Sequence, residues 1–323
     1  MTELRLQVNS LIDKGIGSWT ERLQALHGET KEKKKCFGLM SLYCITARKG
    51  VIGRWHSEVG YMIHGFGMNF LLKQKWPDSC TFLHLLAVTR NSKWLEAALA
   101  TEGQKQALFL RNKHDHLPLH VAVLAGSTEI VQSLLAHDDD NGSMRLARSG
   151  VPQNIPLHHA CGLHHDSIVV LLLSRKGEEQ RLACSKEGFL PLHAALIMLN
   201  IEVVPHLLAE RAMDQALKQT NDGSNALMLA ASSGLAAAVD MLLAVPDTLA
   251  AQLEARDKNG KGAIDFARKR GNPDVIARIE AAMQSLSATS TSTSTTSTST
   301  SAAPPTAAPK DNPAFSDTED DPD

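Results

Sequence analysis

Asp115-His116-Leu117-Pro118-Leu119-His120-Val121-Ala122-Val123-Leu124-Ala125-Gly126 runs directly into Ser127-Thr128-Glu129-Ile130-Val131-Gln132-Ser133-Leu134-Leu135. Pro118 suits a first helical position, because the N–H that proline lacks has no intrahelical partner there in any residue. A short helix from Pro118 ends at Gly126, which takes the left-handed conformation of a helix C-terminus without steric cost. Ser127 or Thr128 then caps a second helix, whose Ile130, Val131, Leu134 and Leu135 share one face. Helices of about eight to ten residues do not hold alone in water, and both of these present apolar faces. Such a unit requires neighbours.

The chain supplies them. With Pro118 as anchor, the same register returns at Phe82, Pro156, Pro191, Ala226 and Ala263, and consecutive anchors are 36, 38, 35, 35 and 37 residues apart. Leu-His follows the anchor in four of the six copies (Leu83-His84, Leu119-His120, Leu157-His158, Leu192-His193). Apolar clusters close each copy, from Leu95/Leu99 and Leu134/Leu135 through to Ile276/Ile279. Six helix–turn–helix units of near-constant period predict an all-α solenoid. The pattern resembles the ankyrin repeat, whose Thr-Pro-Leu-His-x-Ala signature survives best at Leu117–Ala122, Ile155–Ala160 and Leu190–Ala195. The resemblance implies stacked helix–turn–helix units joined by short hairpin-like loops over roughly residues 77–283. It also implies that His84, His120, His158 and His193 are structural, bonding backbone across neighbouring repeats.

Several copies depart from the pattern. Arg90, His164 and Leu199 stand where Gly126 stands, which predicts a changed turn between the helices of the third and fourth copies, since a left-handed leucine is strained. Met228 and Asp265 replace the histidine in the last two copies. Apolar pairs recur between copies (Ala107-Leu108, Leu146-Ala147, Leu182-Ala183, Ala216-Leu217, and Leu253 with Ala255), and they predict an added helical turn under each second helix.

The remainder divides into three parts. Residues 1–76 read as a helical N-terminal cap region or degenerate repeat covering the open end of the stack. They carry twelve Lys/Arg against six Asp/Glu, and an apolar run at 59–72 too short to span a bilayer. Residues 77–284 form the solenoid. Residues 285–323 read as a disordered tail, Ser/Thr-rich and then acidic, in which Ser316 and Thr318 have acids three residues on.

The net charge of −2 and pI near 6.7 point away from a nucleic-acid partner. Five cysteines without C-x-x-C spacing argue for a reducing compartment, with cytoplasm expected and the nucleus left open. Cys161 and Cys184 read as inert packed thiols. Histidine pairs at 114/116, 158/159 and 164/165 raise a metal site, but no spacing brings three or four ligands together, so neither a metal nor a cofactor is expected. A nucleophile–base pair of Cys36 or Cys44 with His56 or His64 has nothing to order it, and the phosphate-loop, zinc-protease and serine-hydrolase motifs are missing. The expectation is a non-enzymatic scaffold or adaptor, monomeric, that binds another protein on the concave face. The alternative is a membrane-tethered adaptor anchored through 59–72.

Carried over from the resemblance position by position, the partner-binding candidates are Lys113, His114, His116 and Leu124 in the second copy. They are Lys186, Glu187, Phe189, Ile197 and Met198 in the fourth, Asn221, Asp222 and Ser224 in the fifth, and Lys258, Asn259 and Lys261 in the sixth. Phe189, Ile197 and Met198 stand out as apolar residues, either as a binding hot spot or as packing between fingers.

Overall fold

A computed structural model describes residues 79–101 and 104–292, with side chains described for 79–101 and 106–288. The expected N-terminal cap, the apolar segment 59–72 and residues 293–323 of the expected tail lie outside the described residues. Contacts divide the chain into two units, one ending at Met283 and the other starting at Gln284. Among the described residues there are helices and one isolated β-bridge, and no strand.

Six inner helices follow the six anchors: α1 (Phe82–Thr89), α4 (Pro118–Ala125), α6 (Pro156–Gly162), α9 (Pro191–Ile197), α12 (Ala226–Ser233) and α15 (Ala263–Arg270). Each packs on the next, so the inner helices form one continuous row. Each is followed by an outer helix: α2 (Ser92–Leu99), α5 (Thr128–Leu135), α7 (Asp166–Leu173), α10 (Val204–Leu208), α13 (Ala236–Leu243) and α16 (Pro273–Ser292). The last of these continues eight residues beyond position 284. The first five inner helices are buried over most of their length, whereas α15, at the end of the row, buries only Ala263 and Ala267. Outer helices bury one stripe, such as Ile130, Val131, Leu134 and Leu135 in α5.

The added turns are there. Short helices α3 (Gln104–Ala107), α8 (Gly177–Arg181), α11 (Ala212–Leu217) and α14 (Leu249–Glu254) follow four of the outer helices. Three carry a fully buried glutamine at the same place. Gln180 Nε2 donates to Leu172 O at 2.6 Å, Gln215 Nε2 to Leu207 O at 2.7 Å and Gln252 Nε2 to Leu242 O at 2.8 Å. Each bond satisfies a carbonyl that the end of the outer helix leaves without an intrahelical partner. In the second repeat a buried ion pair stands in this region instead, with Arg145 Nη1 2.6 Å from Asp138 Oδ2, both side chains inaccessible to solvent or nearly so.

The histidines explain how inner helices start. In the second and fourth repeats the residue before the helix is leucine, which has no capping atom. There the ring at the third helical position accepts the orphan backbone N–H: Leu117 N to His120 Nδ1 at 3.3 Å, and Leu190 N to His193 Nδ1 at 3.2 Å. The far nitrogen reaches the next repeat in three copies. His84 Nε2 donates to His116 O (2.8 Å), His120 Nε2 to Ala147 O (3.0 Å) and His158 Nε2 to Phe189 O (2.9 Å). His193 Nε2 is buried without a partner, so the family-implied bond across repeats is made by three of the four. In the fifth repeat, where Met228 replaces histidine, Asn225 caps the helix and also bonds the added turn α14. Its Oδ1 accepts Met228 N at 2.9 Å and its Nδ2 donates to Gln252 O at 3.0 Å.

The turns between paired helices did not change in the expected way. Arg90, Gly126, His164, Leu199, Gly234 and Gly271 all have positive φ, between 55° and 77°. Helices α6 and α9 instead stop one residue early, leaving Leu163 and Met198 to lead into the left-handed residue. A non-glycine residue there costs about 1–2 kcal/mol. In two repeats the side chain offsets this by bonding the next repeat: Arg90 donates to Ala125 O, and His164 Nε2 donates to Met198 O at 2.9 Å. Leu199 has no such bond to offer.

Cys161 is fully buried and its thiol pKa is pushed up by burial, as an inert core position requires. Cys184 is only half-buried, because it opens the finger of the fourth repeat rather than packing inside the stack.

Candidate functional site

Between the inner helices the chain makes protruding fingers. Each finger is closed at its base by a short backbone bond: Asn112 N to His116 O (3.0 Å), Ser185 N to Phe189 O (2.8 Å), Thr220 N to Ser224 O (2.9 Å) and Asp257 N to Lys261 O (2.9 Å). The third finger uses the bridge between Ser149 and Asn154, so its unusual sequence keeps the form. The residue three before each anchor is left-handed throughout: Ser79, Asp115, Gln153, Gly188, Gly223 and Gly260.

Neighbouring fingers are then tied tip to tip. Lys186 N donates to Pro152 O (2.8 Å), Asn221 N to Glu187 O (3.0 Å) and Lys258 N to Asp222 O (2.9 Å). Asn221 Nδ2 adds a bond to Lys186 O at 3.0 Å. Arginines brace the fingers from the side, with Arg111 Nη1 on Arg148 O and Arg148 Nη1 on Cys184 O. The row is therefore ordered before any partner arrives.

The candidate residues fall into two rows rather than one patch. Lys113, His114, Lys186, Glu187, Asn221, Asp222, Lys258, Asn259 and Lys261 are exposed on the fingers, and His116 and Ser224 lie half-buried among them. Leu124, Ile197 and Met198 lie at the other end of the inner helices. Six residues of helix separate the two ends of a repeat, about 9 Å at 1.5 Å per residue. Phe189 belongs to neither row fully: it is half-buried, its ring meets His193 edge-on at 6.2 Å, and its carbonyl is taken by His158. Packing of its ring against the start of its own helix α9 accounts for it.

Two residues escaped the sequence reading. Leu163 and Leu199 are 43% and 51% exposed, and they extend the row of Ile197 (43%) and Met198 (50%). Leu163 stands seven residues after its anchor, as Met198 does, and that shared register was the available signal.

A chain of imidazoles lines the second and third fingers. Ring centroids of His114 and His116 are 6.1 Å apart, His116 and His120 stack at 5.8 Å, and His159 stands edge-on to both at 5.9 and 6.1 Å. Burial lowers the pKa of His116, His120 and His159. His120 is pushed down to about 3 and His159 to about 4, each first by desolvation and then by the neighbouring rings. His116 is lowered by burial and by His114, against the opposing pull of Asp115. Among the described residues no three His, Cys, Asp or Glu side chains are placed to share a metal ion.

Charge is also sorted. The finger segments 111–117, 148–155, 184–190, 218–225 and 255–262 hold eight Lys/Arg against four Asp/Glu. The rest of 79–283 holds twelve against eighteen. Two of the four finger acids are already engaged: Asp115 pairs with Arg111 at 3.2 Å, and Asp257 Oδ1 accepts the N–H groups of Asn259 and Lys261 at 2.8 Å each.

A stack of inner and outer helices with tied fingers is the geometry the repeat pattern implied, and known proteins agree. The ankyrin-repeat family model matches residues 114–143. The chain carries ankyrin repeats. A crystal structure of the ankyrin-repeat domain of Bcl-3, described as a unique member of the IkappaB protein family, superposes with a TM-score of 0.56 at 23% identity. The match covers 74% of this chain and 97% of that one. At that identity the likeness speaks for the ankyrin fold. Among the described residues no helix is long and apolar enough to cross a membrane.

Proposed function

We propose that the ankyrin stack of residues 77–284 is a non-enzymatic scaffold that binds another protein across the concave side of its inner helices and fingers. The observation that carries this reading is the exposed apolar row Leu163, Ile197, Met198 and Leu199 at the C-terminal ends of two neighbouring inner helices, α6 and α9. Scattered apolar residues on a surface need no explanation, whereas three consecutive ones beside a fourth from the preceding repeat do. Leu199 strengthens the point. It holds a strained left-handed backbone without the bond to the next repeat that Arg90 and His164 make, and unexplained strain of this kind collects at binding sites. The tied fingers add preorganisation, so little ordering cost is incurred on association.

Proximity labelling with the full chain and with Ile197→Asp/Met198→Asp tests the proposal. Both side chains are half outside, so the double variant is expected to melt with the wild type while losing its captured partners. An unchanged set of partners would remove the reading. The same experiment bears on compartment: a cytoplasmic or nuclear set is expected.

A further inference from the structure

The imidazole chain on the second and third fingers has no role in the stack that accounts for all of it. His120 is consumed by its bonds to Leu117 N and Ala147 O. His116 is different: its carbonyl serves His84, but its ring makes no hydrogen bond among the described residues and lies half-buried in the groove between the fingers. His159 has only a long 3.3 Å contact to Ser149 Oγ. The ionisable groups around the two rings are His84 on α1, His114 and the paired Arg111 and Asp115 on the second finger, and Arg148 on the third. His120 on α4 and His158 on α6 complete the set. Asp115 is the one acid among them, and it is held by Arg111. Further along the finger row, Lys186, Lys258 and Lys261 stand exposed without an ion-pair partner among the described residues. The row is thus a line of donors and cations with too few carboxylates.

We propose that the finger row receives an acidic segment of a partner protein, with His116 and His159 as the point where one of its carboxylates is recognised. This rests on the scaffold reading above and specifies the chemistry of the partner. A carboxylate placed against the two rings supplies the counter-charge that the fingers lack, so one of the rings takes up a proton as the segment docks. Between the two midpoints the bound complex therefore holds more protons than the free protein, and affinity rises as pH falls from the bound-state midpoint toward the free-state one. One proton taken up corresponds to at most about a tenfold change in affinity per pH unit. A polyanion such as nucleic acid is the competing occupant. The cation count is small, and the five fingers offer a broken line rather than a continuous basic stripe.

The test uses the full chain and fluorescently labelled twelve-residue peptides alternating Glu, Gln or Lys with Leu. Fluorescence anisotropy is read between pH 6.0 and 7.5 at fixed ionic strength. The Glu peptide is expected to bind, to weaken several-fold from pH 6.0 to 7.5, and to perturb the imidazole C–H resonances of His116 and His159. The Gln and Lys peptides are expected not to bind. His116→Gln/His159→Gln is expected to leave the melting temperature within a few degrees and to flatten the pH dependence. His114→Gln serves as the exposed control that leaves it intact. Failure of the Glu peptide to bind, stronger binding of the Lys peptide, or a pH dependence that survives in the double variant would each overturn the inference. Binding that is abolished by Met198→Asp but indifferent to pH and to the histidine pair sinks the inference and keeps the scaffold reading. Binding lost in the histidine pair yet indifferent to Met198→Asp keeps the inference and removes only the apolar row from the scaffold reading. Tighter binding of a single-stranded oligonucleotide than of the Glu peptide would assign the row to nucleic acid and overturn the proposal.

Discussion

Acid should dismantle this stack well above the pH at which carboxylates titrate. Burial pushes His84, His158 and His159 down to about 4, and His120 and His193 down to about 3, from the usual 6.5. In His84, His120 and His193 the geometry reinforces the effect, because Nδ1 already faces a backbone N–H and has no room for a proton of its own. The native rings are neutral while the unfolded ones charge below pH 6.5, so the unfolded state binds more protons and stability falls as pH falls. The full contribution is present above 6.5 and is lost progressively from there down to about 4. At pH 5, 1.5 units below the unfolded value, each ring withdraws about 2 kcal/mol. Five such rings withdraw roughly 10 kcal/mol, comparable with the whole stability of an ordinary domain, about 5–15 kcal/mol. Urea melts followed by circular dichroism from pH 7.5 to 5 should show a flat midpoint above pH 7 and a steep fall below 6.5. Transplanting the fifth repeat's solution into the fourth, as Leu190→Asn/His193→Met, should replace the Leu190–His193 bond by an asparagine cap of the fifth repeat's kind and remove one ring's share of the slope, about 1.4 kcal/mol per pH unit. A midpoint unchanged between pH 7 and 5, or a slope untouched by that exchange, would refute the reasoning.

Other substitutions probe single contacts. Gly188 has φ +82°, and a Cβ there would come within 2.9 Å of Asn221 N in the neighbouring finger. Gly188→Ala is therefore expected to cost about 1–3 kcal/mol and to loosen the tie between the fourth and fifth fingers, read as faster amide exchange at Asn221. Removing one half of the buried pair, as Asp138→Ala, leaves Arg145 charged and enclosed. A loss of about 3–5 kcal/mol is expected in a denaturation melt. Gln215→Leu leaves the Leu207 carbonyl of α10 without that donor and should lower stability by about 1–3 kcal/mol, with Gln252→Leu costing less because Val245 N still donates to Leu242 O. Leu199→Gly relaxes the left-handed backbone and is expected to be neutral or to stabilise by up to about 1 kcal/mol while weakening partner capture. A larger loss of stability would show that Leu199 is a packing residue.

The architecture was open to sequence reading because its period was. Six anchors at near-equal spacing fix where every inner and outer helix begins, and apolar pairs such as Ala216-Leu217 mark the added turns. Less legible was anything that depends on what a side chain finds across the repeat boundary. Leucine at position 199 looked incompatible with the turn, yet the backbone keeps its left-handed step, because the helix can stop a residue early and the stack outweighs a strain of about 1–2 kcal/mol. The three buried glutamines sat in plain view just before those apolar pairs or within one residue of them. Their meaning needs the carbonyls of an outer helix eight to ten residues earlier in the chain. Phe189 and Met198 were equally exposed on paper; only the position of His193 separates a ring packed on the start of its own helix from a thioether standing in the open. The histidine chain was invisible for a similar reason, since His116 and His159 are 43 residues apart and meet only when two fingers lie side by side.

The bonds that tie the stack together mostly end on main-chain oxygen: His84 on residue 116, His120 on 147, His158 on 189, His164 on 198 and Asn272 on 234. Main-chain oxygen is supplied by every amino acid alike. A module joined this way tolerates drift in its neighbour's side chains, so the visible faces can change one position at a time while the joints stay closed. That freedom suits a protein whose outer chemistry answers to something outside itself, and whose inner couplings answer only to the polypeptide backbone.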